Sequence, residues 1–304
     1  MLDGRANEVI NQHHVPRMYL KRFALDASED SSMLRVLSKS DGRLFQANVA
    51  NLAVERYFYD RSGPQGTEAA LAELESAASP LIDRLVHDDG LRPLDVEESR
   101  TVATFVALLD FRTAAFRRAA VGLATSVDGL GERVATELGA RYESTAPQAP
   151  EEVRAFHKAL MWRTAAVARE VMASMQWTVL VAPADVRFVT SDHPVVKFNP
   201  LPPPAPWMGT LGWNSPGVQV LVPLSPQTCL AIVDAAEAMP SRATYSAEGV
   251  LMANGLQASY AHRFIFGSRD SELTGLEERM QLHPKLREGG LTFESAGLLL
   301  RQRD

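Results

Sequence analysis

With 304 residues and 46% hydrophobic content, the chain is long enough to bury one large core or two modest ones. Its net charge of −6 and pI near 5.7 lack the basic footprint of a general nucleic-acid binder, and no run approaches the ~18 consecutive apolar residues of a membrane span. The single cysteine, Cys229, excludes an intrachain disulfide and lies in an apolar run, so a soluble, cytoplasmic protein is expected.

The first patterned stretch is NQHHVPRMYLKRFA, Asn11 to Ala24. After Pro16 it is rich in helix formers, which predicts one or two helical turns. Arg17 and Lys21 share one face of that helix and Tyr19 and Phe23 another, an amphipathic surface helix first and an anion or RNA patch second. SMLRVLSK and GRLFQANV flank Ser40-Asp41-Gly42, a hairpin signal, and VERYFYD continues as a strand or edge extension.

From about Gln65 to Met175 the period is helical. Thr67 to Asp88 carries Leu71, Leu74, Ala78, Leu81 and Leu85 at three- and four-residue steps, with Pro80 expected to kink or split the helix. Asp95 to Ala124 reads as one long helix with Asp95 as N-cap and Val102, Phe105, Leu109, Phe116 and Leu123 on a single stripe. A weaker helical stretch covers Leu130 to Tyr142, and another long helix starts at Pro150.

From Gln176 the period shortens again. WTVLVAP, VRFVTSD, VQVLVPL and CLAIVD read as strands, AEGVLMANGLQASYA as a helix and HRFIFGS as a last strand. LPPPAP, Leu201 to Pro206, with Trp207 and Trp213 nearby, is a stiff surface connection first, and a lid or a partner-docking loop second. The order predicts a single α+β domain over 1–304: a small N-terminal loop, helix and hairpin (1–62), a central helical bundle (65–175), a mainly antiparallel C-terminal sheet (176–270) and an extension (271–304).

P-loop, dinucleotide, zincin, zinc-ribbon and serine-elbow motifs are absent. Three features remain. His13 and His14 sit side by side before a proline; imidazoles ligate metals or move protons, but neighbours on an extended chain point opposite ways, so one of them faces any given site. The competing reading has one histidine bonded to backbone and the other solvated. TSDHPV puts Asp192 and His193 at a strand end, where a carboxylate serves either a site or ordinary turn chemistry. Arg112 lies seven after Phe105, three after Leu109 and four before Phe116, a guanidinium on a stripe that should be buried. It requires an anion, with Glu75 first and Asp110 second as internal partners. His157 also falls on the apolar side of its helix, four after Val153 and four before Met161.

In order along the chain, HHVPRMYLKRFA, ERYFYD, LAELESAA, FVALLDFRT, QWTVL, FVTSDHPV and PLSP resemble an uncharacterised bacterial family, domain-of-unknown-function family 4238. The likeness spans His13 to about Gly267 and rests most on His-His-x-Pro-x-x-Tyr-Leu-x-x-Phe and Thr-Ser-Asp-x-Pro. It implies that His13, His14, Pro16, Glu75, Arg112 and Asp192 are the positions to inspect; His193 is less characteristic. Family membership supplies no chemistry of its own.

These residues lead to one expected site. His13, His14, Asp192 and His193 would hold a divalent cation, Glu75 and His14 would serve as base or ligand, and Arg112 would meet an anionic, phosphate-containing or other small substrate. That is a metal-assisted hydrolase, phosphodiesterase- or nuclease-like. Two alternatives stand beside it: a non-catalytic ligand- or partner-binding protein in which the same set is structural, and a metal-free acid/base enzyme on a small metabolite.

Overall fold

Alternation of period two organises the C-terminal half around a sheet covered on both faces. Val179, Val220, Val222, Leu230 and Ile232 turn towards the helical bundle, whereas Leu180, Leu221, Cys229 and Ala231 turn to the opposite side. The strands are β5 (Gln176–Val181), β7 (Val196–Phe198), β8 (Gln219–Pro223), β9 (Thr228–Val233) and β10 (Arg242–Thr244), in the order β10-β5-β9-β8-β7. All pair antiparallel except β10 with β5. These details come from a computed structural model that describes residues 10–24, 32–59, 66–87, 94–199, 213, 215–234 and 239–276. Leu201 to Pro206, Trp207 and the extension beyond 276 lie outside the described residues.

One face of this sheet packs on α2 (Thr67–His87), α3 (Val96–Phe111) and α5 (Pro150–Ala173). The other face packs on α6 (Ala247–Tyr260) through Val250, Ala253 and Leu256. The α+β reading holds, with two physical adjustments. The single helix expected over Asp95 to Ala124 is two: α3 ends at Arg112, and Thr113 caps α4 (Ala114–Glu137) by accepting from Phe116 N at 3.2 Å. Leu123 is consequently exposed rather than part of the buried stripe. In contrast, α2 runs unbroken through Pro80, braced by Arg22, which bonds Ser79 O and Asp83.

The hairpin of β2 (Met33–Ser38) and β3 (Leu44–Asn48) does not stand alone. It joins β11 (Phe264–Gly267) and β6 (Thr190–Ser191) in a second antiparallel sheet, β3-β2-β11-β6, while β1 (Asn11–His13) pairs with β4 (Val54–Arg56). Of VRFVTSD only Thr190 and Ser191 pair as strand. The short α1 (Arg17–Leu20) buries Tyr19, and a following 3-10 turn buries Phe23. The Tyr19 hydroxyl donates to Pro223 O at 2.6 Å and meets Thr190 Oγ1 at 2.8 Å, so one phenol ties the N-terminal segment to both sheets.

Candidate functional site

The break between α3 and α4 decides where the charged residues go. Arg112 occupies the C-cap of α3 and is buried, and its fork is filled by protein. Nε donates to Tyr59 Oη at 2.9 Å, one terminal nitrogen to Glu75 Oε1 at 2.7 Å and the other to His13 O at 2.6 Å. Burial opposes its charge, but Tyr59 and Glu75 hold its pKa above the ordinary value. Burial pushes the Tyr59 phenol up to about 12, so it remains a neutral donor, to His13 O at 3.2 Å. The arginine thus fastens β1 and the loop after β4 onto the bundle.

Glu75, Arg112 and His13 are therefore in direct contact, the last through its backbone. The His13 ring instead pairs with Ala50 O at 3.2 Å and is half-buried, with burial lowering its pKa. His14 is buried against Phe58, ring centroids 5.1 Å apart, and its Nδ1 has no partner among the described residues. Burial, aided by Arg112 and Arg117, lowers its pKa to about 3, so it is neutral. Phe58 also meets the His157 ring, centroids 5.4 Å apart; His157 bonds Phe111 O at 3.0 Å and is held at about 4 by burial.

Asp192 and His193 part company although they are neighbours. Asp192 turns to the corner between α6 and β11, where its oxygens accept the backbone N–H groups of His262 and Arg263 at 2.8 Å and of Phe264 at 3.2 Å. Burial raises its pKa to about 6 against those bonds. The local turn bond is made by Ser191, whose hydroxyl accepts from His193 N at 3.0 Å. His193 turns the other way, to the α3–α4 junction.

There it meets a group that sequence spacing had not assembled. Asp110, 1% exposed, is bound by Lys197 Nζ at 2.5 Å through one oxygen and faces His193 Nε2 at 3.4 Å through the other. Lys197 also sits 5.3 Å from the Phe111 ring and 5.0 Å from that of Trp213, a cation between two aromatic faces. Thr113 fixes the imidazole. Its hydroxyl accepts from Phe116 N and meets Asp110 O at 3.0 Å and His193 Nδ1 at 2.7 Å. With the hydroxyl donating to Asp110 O the proton sits on Nδ1 and Nε2 is bare beside the carboxylate; with the hydroxyl donating to Nδ1, the proton sits on Nε2 and points at Asp110. Burial lowers the His193 pKa to about 4, with Asp110 opposing the shift. The signals for this group were a lone lysine between Val196 and Phe198 and an aspartate in FVALLDF, charges inside apolar runs.

Among the described residues, no three His, Cys, Asp or Glu side chains gather as a group able to hold a metal ion. A surface concavity lined by Leu74, Glu97, Arg100, Thr104, Arg169 and Glu170 includes none of the groups above.

The model of a family described as protein of unknown function (DUF4238) matches residues 11–271. The chain belongs to this family. No curated protein and no solved structure matches it. The two stretches that carry the DUF4238 resemblance, one around His13 to Phe23 and one around Thr190 to Pro194, touch through the Tyr19 to Thr190 bond. They bracket the α3–α4 junction, with Arg112 bonded to the first stretch and Thr113 to the second.

Proposed function

We propose that this chain is a metal-free acid/base enzyme acting on a small anionic metabolite, with His193, Asp110 and Lys197 at its centre. One observation carries the reading: a buried carboxylate lies between an imidazole and an ammonium whose side chains keep 11% and 16% of their surface exposed, enough for contact from outside. Strongly shifted titratable groups held by a specific charge partner are a mark of functional sites. His193 Nε2 accepts a proton from the substrate, Asp110 stabilises the imidazolium so formed, and Lys197 meets the substrate's anionic group. Thr113 holds the ring orientation through Nδ1. General acid/base catalysis of this kind contributes about 10²- to 10⁴-fold.

The test is turnover of a panel of small carboxylates and phosphate monoesters with a chelator present, comparing the wild type with a folded His193→Asn variant. Chelator-resistant turnover that falls at least a hundredfold in the variant is expected. Turnover that survives the substitution, or none in either protein, overturns the reading.

Saturation of Arg112 and Asp192 favours a second reading, a non-catalytic ligand- or partner-binding protein stabilised by a polar network. Metal-assisted hydrolysis asks His13, His14, Asp192 and His193 to share a cation. Their donors do not fit that group: the His13 ring is bonded to Ala50 O, both Asp192 oxygens are taken by backbone, and His193 faces away.

A further inference from the structure

Helix α4 leaves an apolar stripe in water. Of its 24 residues only Ala120 is buried, yet Leu123, Val127, Leu130, Val134 and the C-cap residue Leu138 are 46–76% exposed and lie on one side at helical spacing. Each keeps roughly 100 Å² of apolar surface in water, so the patch covers about 500 Å², at the upper end of what monomeric proteins leave exposed.

We infer that this stripe is a homodimer interface, formed by two copies of α4 packed antiparallel. The spacing itself names the occupant. Ala119, Leu123, Val127, Leu130, Val134 and Leu138 follow one another at steps of four, four, three, four and four, which read the same in both directions. An antiparallel second copy therefore sets Leu123 on Val134 of that copy, Val127 on its Leu130 and Ala119 on its Leu138. This is the self-complementarity that a two-fold interface demands.

The area agrees. Two such patches bury about 1,000 Å², the lower bound for a specific interface, before any flanking polar surface is counted. Antiparallel pairing also opposes the two helix dipoles. A bilayer is the poorer partner, because α4 carries three arginines against three acidic residues and has no net attraction for anionic lipid.

Sedimentation velocity on the full 33.3 kDa chain tests this, with the wild type expected as a reversible dimer. The Val127→Glu/Leu130→Glu double variant sets like charges face to face across the two-fold. It should weaken the dimer at least a hundredfold while the folded monomer keeps its circular dichroism and thermal transition, since both positions are exposed. Orientation is read separately by mixing Leu123→Cys and Val134→Cys proteins under oxidation; the native Cys229 is buried and does not interfere. Cross-links between the two variants, and few within either alone, are expected. A wild type that is monomeric at 100 µM (including one that instead floats with phosphatidylglycerol-containing vesicles), a dimer untouched by the double variant, or cross-links only between like positions, overturns the inference.

Discussion

Replacing Arg112 by methionine isolates what fastens the N-terminal segment to the bundle. The substitution keeps the aliphatic stem but removes three charge-assisted donors, to Tyr59 Oη, Glu75 Oε1 and His13 O. Breaking a buried ion pair from one side costs about 3–5 kcal/mol, most of it the orphaned partner. Glu75 retains 22% side-chain exposure and so recovers some hydration, whereas Tyr59 is buried and keeps only its bond to His13 O. A loss of about 4 kcal/mol is therefore expected, which for a chain of 304 residues lowers the melting temperature by roughly 6 °C. Urea unfolding of Arg112→Met, Glu75→Gln and the double variant measures it. Because both singles disrupt one pair, the double should cost little more than Arg112→Met alone. A loss below about 1 kcal/mol, or strict additivity, would refute the reasoning.

Acid should destabilise the fold. His14, His157 and His193 have folded pKa values of about 3, 4 and 4, depressed from 6.5, so the unfolded chain takes up their protons first as pH falls below 6.5. Asp192, raised to about 6 from 3.8, opposes this by binding its proton in the folded state. Near pH 5 the unfolded chain thus holds about two protons more, a loss of about 3 kcal/mol per pH unit that urea titrations between pH 7 and 4.5 should register; a flat profile would contradict the burial argument. Tyr19→Phe removes the phenol shared by Thr190 and Pro223 O and should cost about 1–3 kcal/mol in the same assay, with near-neutrality as the adverse result. Asp192→Asn turns an amide N–H towards backbone donors at the α6–β11 corner; faster hydrogen exchange at His262 to Phe264 is expected, and unchanged protection would speak against that clamp.

The elements with a strong period were legible in the sequence: the β2–β3 turn at Asp41-Gly42, the strands β5, β8 and β9, and the helix beginning at Pro150. The pairing of Arg112 with Glu75 was legible too, because a charge on an apolar stripe demands a counter-charge on the facing helix. The break at Arg112-Thr113 was not, since AAFRRAA continues the helical composition and the cap is a single threonine. That break hid the His193, Asp110 and Lys197 group, whose members come from a strand end, a helix and an edge strand and meet only through long-range packing. β1, β7 and β10 have three residues each, too short to carry a period.

The protonation of His193 tests the central claim most directly. Nitrogen-15 NMR of the imidazoles, with His193 assigned by its loss in His193→Asn, separates the two neutral tautomers. The account predicts a ring that stays neutral down to about pH 4 with its proton on Nδ1, leaving Nε2 as a bare base beside Asp110. A proton on Nε2 at neutral pH would make the ring a donor closed onto Asp110, and the group would then be a structural pair rather than a poised acid/base centre.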